Sequence, residues 1–462
     1  MSRLTSKQIV PFLILAGVAL ISIFIPSAPL FNDKGSYNGA DIAWMIVATA
    51  LVFLMTPGLA FFYGGMVHRK NVISTMIKSV VAAGIVSVLW VVVGYSLCFG
   101  PSIGGFGFIG DPSSHFFFKG VASGAAWSLT PTIPLTLFAL FQLMFAIITP
   151  GLVVGAVAER IRFTSYALFI VLFSLLVYAP IAHWTWNPEG FLFKMGVLDF
   201  AGGTVVHISA GCAALAGALV LKRRKSHIEN KEIPPANVPY VLIGTGLLWF
   251  GWFGFNAGSA GAANALSVAA FATTNTAAAA AGLSWMFFDV LKGKKPSVLG
   301  FCIGAVVGLV AITPAAGFVP VPQSIFIGVV AAIISNIAVY YKSKSTLDDT
   351  LDVFPCHGIG GMVGVIMTGI FATKTVNAAG NDGLLYGNFD FFLTQIKALA
   401  IVVSYSFIVS FGLFKFINFV LPLRVSEEDE EVGLDASQHN EKYLQGTLLV
   451  TTGGEMKEES LP

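Results

Sequence analysis

Charge is what this chain has least of. Only 11% of its 462 residues are Asp, Glu, Lys or Arg, against about 25% in a soluble domain. Cysteine is scarcer still. Cys98, Cys212, Cys302 and Cys356 lie in or at the ends of apolar segments, and none has CxxC spacing. That argues against a disulfide framework or a zinc site. No basic stripe with interleaved aromatics is present, so nucleic-acid binding is excluded. No nucleophile–base set or metal-ligand cluster can be read from the spacing, so neither an enzyme nor a bound metal or cofactor is expected. The net charge of +2 says nothing about partners, because the charges sit in loops.

What the chain has is apolar length. It is 56% hydrophobic, with 49 glycines and a mean hydropathy of +0.81. This is the composition of a polytopic membrane protein with closely packed helices. A first apolar run covers roughly 8–31. Eleven more follow at about 42–67, 72–99, 131–158, 164–182, 200–221, 238–261, 264–291, 298–318, 323–341, 354–374 and 391–421.

Basic residues set the orientation. HRKN (68–71), ERIR (159–162), KRRK (222–225), KGKK (292–295) and YKSK (341–344) fall at every second connection. The positive-inside rule makes these loops cytoplasmic. The opposite loops (100–130, 183–198, 375–390) are nearly free of Lys and Arg. Arg3 and Lys7 put the first run's start inside, and Pro26-Ser27-Ala28 resembles a small-residue cleavage region. Residues 1–31 therefore read as a signal peptide, with a retained extra helix as the alternative. Residues 40–423 form the transmembrane domain. From 424 to 462 ten acidic residues face three basic ones, a net of minus seven. That segment reads as a solvated acidic cytoplasmic tail.

Two stretches carry the chemistry. LDFAGGTVVHISAG (198–211) puts Asp199 and His207 eight residues apart, and DDTLDVFPCHGIGG (348–361) does the same with Asp349 and His357. On a continuous helix the first pair would be separated by about 12 Å along the axis. IITPG (147–151) and AITPA (311–315) recur in the third segment of each half. Five segments per half is odd, so the halves run in opposite senses. This is an inverted five-plus-five repeat, with the working site near the midplane. Both histidines then reach a similar depth. Ionisable groups at depth suggest function, and paired imidazoles can share a proton and line a narrow path. The bland alternative is two core histidines bonded to carbonyls. Asp199 as helix cap is a structural reading, and Asp349 and Asp352 fit a solvated mouth or loop. Phe141 and Phe145 lie i, i+4; Trp252, Phe255 and Ser259 share one stretch; Trp184 and Trp186 share an outer loop. Most of the 40 phenylalanines must be packing or interfacial residues. A cage of ring faces around a small cation, with a hydroxyl beside it, is the functional alternative.

At TPGLAFFYGGM (56–66), VGAVAERIRF (154–163), LDFAGGTVVHISAG, GWFGFNAGSAG (251–261), DVFPCHGIGG (352–361) and LRVSEEDEEVGLDASQH (423–439) the chain resembles the ammonium transporter family (Amt/Mep/Rh). The likeness covers about 40–440. It implies an all-α polytopic membrane protein of the cell membrane with eleven transmembrane helices, a cytoplasmic C-terminus and a homotrimer with one pore per subunit. It further implies that Phe141, Trp186 and Ser259 recruit ammonium or methylammonium, that Phe145 and Phe255 gate the path, and that His207 and His357 line the pore. Asp199 matches the structural acid at the entrance. The aromatic recruitment residues favour the Amt branch. A slight lengthening between Trp186 and Asp199 leaves Trp184 as an alternative to Trp186. The tail beyond about 445 departs from the family pattern. A PII-type signalling protein at the cytoplasmic face is a further implied partner. Competing functions are a neutral-gas channel of Rh type and an ammonium sensor acting through a separate partner.

Overall fold

The computed structural model describes residues 6–26, 37–122 and 125–443, together with the backbone of two strands beyond them. The first helix, α1 (Ser6–Ile23), exposes Phe12, Leu13, Ile14 and Leu20 around its circumference. Arg3, Ser27 and Ala28 lie outside the described residues.

Among the described residues ten helices are long and apolar enough to cross a membrane: α2 (Gly39–Met66), α3 (Arg69–Phe99), α4 (Leu135–Val157), α5 (Phe163–Lys194), α6 (Gly203–Leu221), α7 (Val238–Gly258), α8 (Ala265–Leu291), α10 (Val321–Ser343), α11 (Phe354–Phe371) and α12 (Phe389–Val420). Between α8 and α10 runs α9 (Val298–Ile312), the eleventh. Its fifteen residues span only about 22 Å. The sequence reading carried this segment to 318. Instead the helix stops before Thr313-Pro314, and tight turns complete the span. Proline lacks the N–H that a further helical turn requires. The matching Pro150 stays inside α4. In both motifs the threonine before the proline donates to the carbonyl four residues back, Thr149 to Phe145 (2.6 Å) and Thr313 to Leu309 (2.8 Å).

The two halves, α2–α6 and α7–α11, pair element by element: α2 lies along α7, and α6 along α11. Small residues allow the first contact. A Cβ on Gly244 would stand 2.3 Å from the Phe62 nitrogen, and one on Gly251 2.4 Å from Met55. Backbones approach this closely only where side chains are missing. The helix α12 closes the bundle against α6.

The tail differs from the free solvated segment expected from its composition. Residues 424–443 fold onto the basic face of their own subunit through α13 (Glu427–Val432) and α14 (Leu434–His439). Arg424 donates to the carbonyls of Leu221 and Arg223 and pairs with Glu430 at 2.6 Å. Lys70 donates to the Glu431 carbonyl, and Lys225 pairs with the Glu431 side chain. The buried Asp435 accepts from the backbone of Ile73 (3.1 Å) and Ser74 (2.7 Å), at the start of α3's α-helical part. Charge thus drives docking on the tail's own subunit. Farther on, β1 (Thr447–Thr452) and β2 (Glu455–Ser460) pair antiparallel, outside the all-α membrane domain.

Beneath the tail the loops are tied by a buried ion network. Arg224 reaches Glu159 at 2.5 Å and Asp348 at 2.8 Å. Burial by itself would raise the Asp348 carboxyl, but Arg160 and Arg224 outweigh it and hold it well below the usual range. Glu159 behaves the same way, held down by Arg224 and by the His68 N–H.

Candidate functional site

The two histidine helices begin alike. Asp199 precedes α6, and its carboxylate accepts from the N–H groups of Gly202 (2.8 Å), Gly203 (2.7 Å) and Thr204 (2.8 Å), and from the Thr204 hydroxyl. A helix start leaves such donors orphaned, and in an apolar setting they must be satisfied. The chain reaches this cap through Gly202, whose φ of 111° is costly for any residue with a Cβ. Asp199 therefore sits outside the helix, wrapped around its start, and the axial spacing estimated for a continuous helix does not apply. Asp349 serves α11 in the same way, accepting from Val353 (3.0 Å) and Phe354 (2.7 Å). It is fully buried, not solvated as its place in a mouth or loop suggested. Burial pushes its carboxyl up to about 6, against the lowering effect of Lys342.

Each helix then opens with a wide π turn, Gly203–Ile208 and Phe354–Ile359, and each turn carries its histidine. Such turns widen the helix by one residue and cluster at functional sites. The helices cross where Gly211 meets Gly358; a Cβ on Gly211 would stand 2.3 Å from the Gly358 Cα. That approach brings His207 Nδ1 to 3.3 Å from His357 Nδ1, both side chains buried. One nitrogen must carry a hydrogen and the other accept it. The Nε2 of His207 has no partner in the protein.

The aromatic residues stand in file with the histidines. Phe141 meets Phe145 edge-on at 5.0 Å between ring centroids. Phe145 and Phe255 lie 4.2 Å apart at 30°. Phe255 in turn stands 6.0 Å from the His207 ring. Trp186 meets Phe145 edge-on at 5.7 Å, and its Nε1 donates to the Asp199 carbonyl at 3.0 Å. Trp184 points elsewhere. It packs on Phe191 and Tyr405 and donates to the Phe108 carbonyl. Ser259 follows the end of α7 and donates to the Phe255 carbonyl at 2.8 Å, which leaves its lone pairs free. The neighbouring Gly258 abuts Phe141.

The sequence reading named Trp252 without giving it a role. Its indole stacks on His207 at 5.2 Å and 16°, anchored by a 2.9 Å bond from Nε1 to Thr313. The second threonine-proline motif thus holds a wall of the site. Around the histidines runs a cavity of about 10 Å³ lined by Leu59, Ile148, Leu248, Trp252, Phe255 and Val306. That is room for roughly one water molecule. His357 also lines a wider chamber of about 210 Å³ on the basic face, with Tyr63, Asp352 and Cys356.

The sequence profile of the Ammonium Transporter Family matches residues 43–443. The chain belongs to the ammonium transporter family. An ammonium transporter of Bacillus subtilis is 46% identical over 412 residues, covering 88% of this chain and 99% of that one. The crystal structure of Saccharomyces cerevisiae Mep2 superposes with a TM-score of 0.80 at 37% identity, covering 85% of this chain and 89% of that one. A solved structure described as a sensor Amt protein is 30% identical, with a TM-score of 0.78 over 87% of this chain and 98% of that one. For a member of the ammonium transporter family, the paired imidazoles, the ring pair above them and the chamber below form one continuous file through the bundle. Its helices make it a multi-pass membrane protein.

Proposed function

We propose that this chain carries ammonium, and methylammonium as its analogue, across the cell membrane along this file. The observation that carries the reading is the pair of facing imidazoles in a narrow apolar cavity, closed on one side by stacked Phe145 and Phe255. Family membership and the relatives' names support the substrate.

Ammonium matches potassium in charge and nearly in size, so a carbonyl-lined filter would hold both. It differs in carrying a removable proton. Phe141, Trp186 and Ser259 capture the cation, by ring faces and a hydroxyl lone pair. Beyond Phe145 and Phe255 an intact cation would face a large desolvation cost. Loss of a proton near the gate turns NH4+ into NH3 and H+. The neutral molecule then meets His207 and His357. One shared Nδ1–H leaves the pair one Nε2 lone pair and one Nε2–H, and ammonia can bond to both.

Solid-supported-membrane recording of reconstituted protein tests this reading. Ammonium pulses that give current and uptake support ammonium carriage with its charge. Uptake without current favours the neutral-gas channel of Rh type. The sensor reading draws support from the sensor Amt neighbour, and absent uptake would favour it.

The basic loops assign that face, and with it the C-terminus, to the cytoplasm. Three copies form a homotrimer, and a PII-type protein would meet its basic face. Cross-linking and pull-down from nitrogen-replete cells check both. Residues 1–31 are a signal peptide in this reading, and N-terminal sequencing of the membrane-extracted protein tests that.

A further inference from the structure

The ends of α8 and α10 carry a charge cluster that the transport path does not use. These helices pack side by side. Past them come Lys292, Lys294 and Lys295 on one connection and Lys342 and Lys344 on the other. Residues 291–297 and 340–346 contain no acid. Lys342 turns inward, pairing with Asp352 at 2.7 Å at the chamber mouth. The others face outward. Lys292 Nζ stands 4.5 Å from the Phe288 ring centre and 5.6 Å from that of Tyr340. Lys344 Nζ lies 4.2 Å from the same Tyr340 ring and bonds its hydroxyl. Two ammonium groups are thus gathered about one tyrosine. Lys294 makes a 3.3 Å contact with Asp289, its side chain 66% exposed. Among the described residues Lys295 has no acidic partner.

The other basic loops are neutralised from within: Arg224 by Glu159 and Asp348, Lys225 by the tail. The acidic tail docks on Lys70, Lys225 and Arg424, so it leaves this cluster uncovered. Just below the lysines Leu291 is 83% exposed and Tyr341 67%, with Phe287 also outward. That is an apolar and aromatic belt at the edge of the bilayer, which sets the lysines at headgroup level.

We propose that the ends of α8 and α10 form a binding site for the phosphodiester headgroup of an anionic phospholipid. Lys292 and Lys344 flank the phosphate beside Tyr340, Lys294 and Lys295 hold its rim, and the acyl chains lie on Phe287 and Leu291. The belt below the cluster is what favours a lipid over free phosphate. A lysine near an anionic membrane surface raises affinity roughly fivefold.

The test is native mass spectrometry of the full chain released from detergent with phosphatidylglycerol or phosphatidylcholine. The K292Q/K295Q/K344Q variant should lose phosphatidylglycerol adducts by about 30-fold or more and keep its phosphatidylcholine adducts. The K292R/K295R/K344R variant should bind as the unaltered protein does, which separates lost charge from a damaged fold. Equal phosphatidylglycerol binding by the glutamine variant overturns the proposal. So does inorganic phosphate at millimolar concentration, if it displaces the lipid. None of these readouts depends on transport.

Discussion

His207 and His357 touch through their Nδ1 atoms at 3.3 Å, although 150 residues separate them in the chain. Each removes the other's hydrogen-bonding need on that side, so the pair stands in an apolar cavity with its Nε2 atoms free for a passing molecule. His207→Ala or His357→Ala leaves the remaining Nδ1 unpaired and opens the cavity. We expect ammonium uptake to fall at least tenfold, or potassium exclusion to be lost, while the trimer still assembles. Wild-type uptake with intact exclusion in both variants would remove the histidines from the mechanism.

The contact exists because two glycines let the helices cross. Gly211→Ala puts a methyl group 2.3 Å from the Gly358 Cα, where backbone must move. Overpacking of this kind costs about 1–3 kcal/mol. The variant should melt several degrees lower and lose transport, whereas Gly246→Ala, which meets nothing within 4 Å, should do neither. Comparing the two melting curves and uptake rates checks the claim.

Capture and passage are separable. Phe141 and Ser259 lie on the far side of the Phe145–Phe255 pair from the histidines. Phe141→Ala combined with Ser259→Ala should raise the half-saturation concentration for methylammonium several-fold, and lower maximal flux less. An unchanged half-saturation value would refute the assignment.

Arg224 holds two buried carboxylates. Arg224→Gln leaves Glu159 and Asp348 buried without their cation, a loss of about 3–5 kcal/mol. The sign with pH follows from the Asp348 carboxyl lying below its ordinary value of 3.8. In the unaltered protein its stabilisation is complete above that value and is lost as pH falls through the lower, folded value. The melting temperature owed to this network is therefore flat from pH 5 to 8. In the variant the carboxyls titrate higher, so acid relieves them, and the deficit should narrow as pH falls from 7 to 5. A deficit that widens over that range contradicts the account.

The tail caps a helix. Asp435→Ala removes the acceptor for Ile73 and Ser74 and should cost about 0.5–2 kcal/mol. Deleting 424–462 should change transport or abolish shutdown after an ammonium shock, and deleting 444–462 should spare both. Uptake at matched membrane expression decides, and identical behaviour of the longer deletion and the full chain would leave the tail without a regulatory part.

Much of this was legible in the chain. Hydropathy runs located the spanning helices because a bilayer admits few backbones other than a self-bonded one. Lys and Arg at alternate loops gave their senses, and the eight-residue Asp–His spacing marked related elements in the two halves. Some positions were misread for want of the third dimension. Asp349 was placed in solvent because its sequence neighbours are polar, yet Val353 and Phe354 need a buried acceptor there. The tail's minus seven suggested repulsion and solvation, yet Lys70, Lys225 and Arg424 wait for it. Trp184 and Trp186 are indistinguishable by spacing, and only the packing of Trp184 against Phe191 and Tyr405 sets them apart.

By itself, then, the sequence determined that this protein spans a membrane, how many times, in which sense, and which ionisable side chains would be buried. Those are local quantities: hydrophobic length, charge at a helix end, the spacing of an acid from a histidine. The tertiary structure decided what the buried groups do to one another. Nothing local to His207 places His357 beside it. Gly211 against Gly358 does that, with Asp199 and Asp349 holding both helix starts. Trp252 became a wall of the path only because Thr313, at the broken end of α9, anchors its indole. Contacts of that kind depend on how closely separate backbones can approach, and that becomes fixed only when the helices pack.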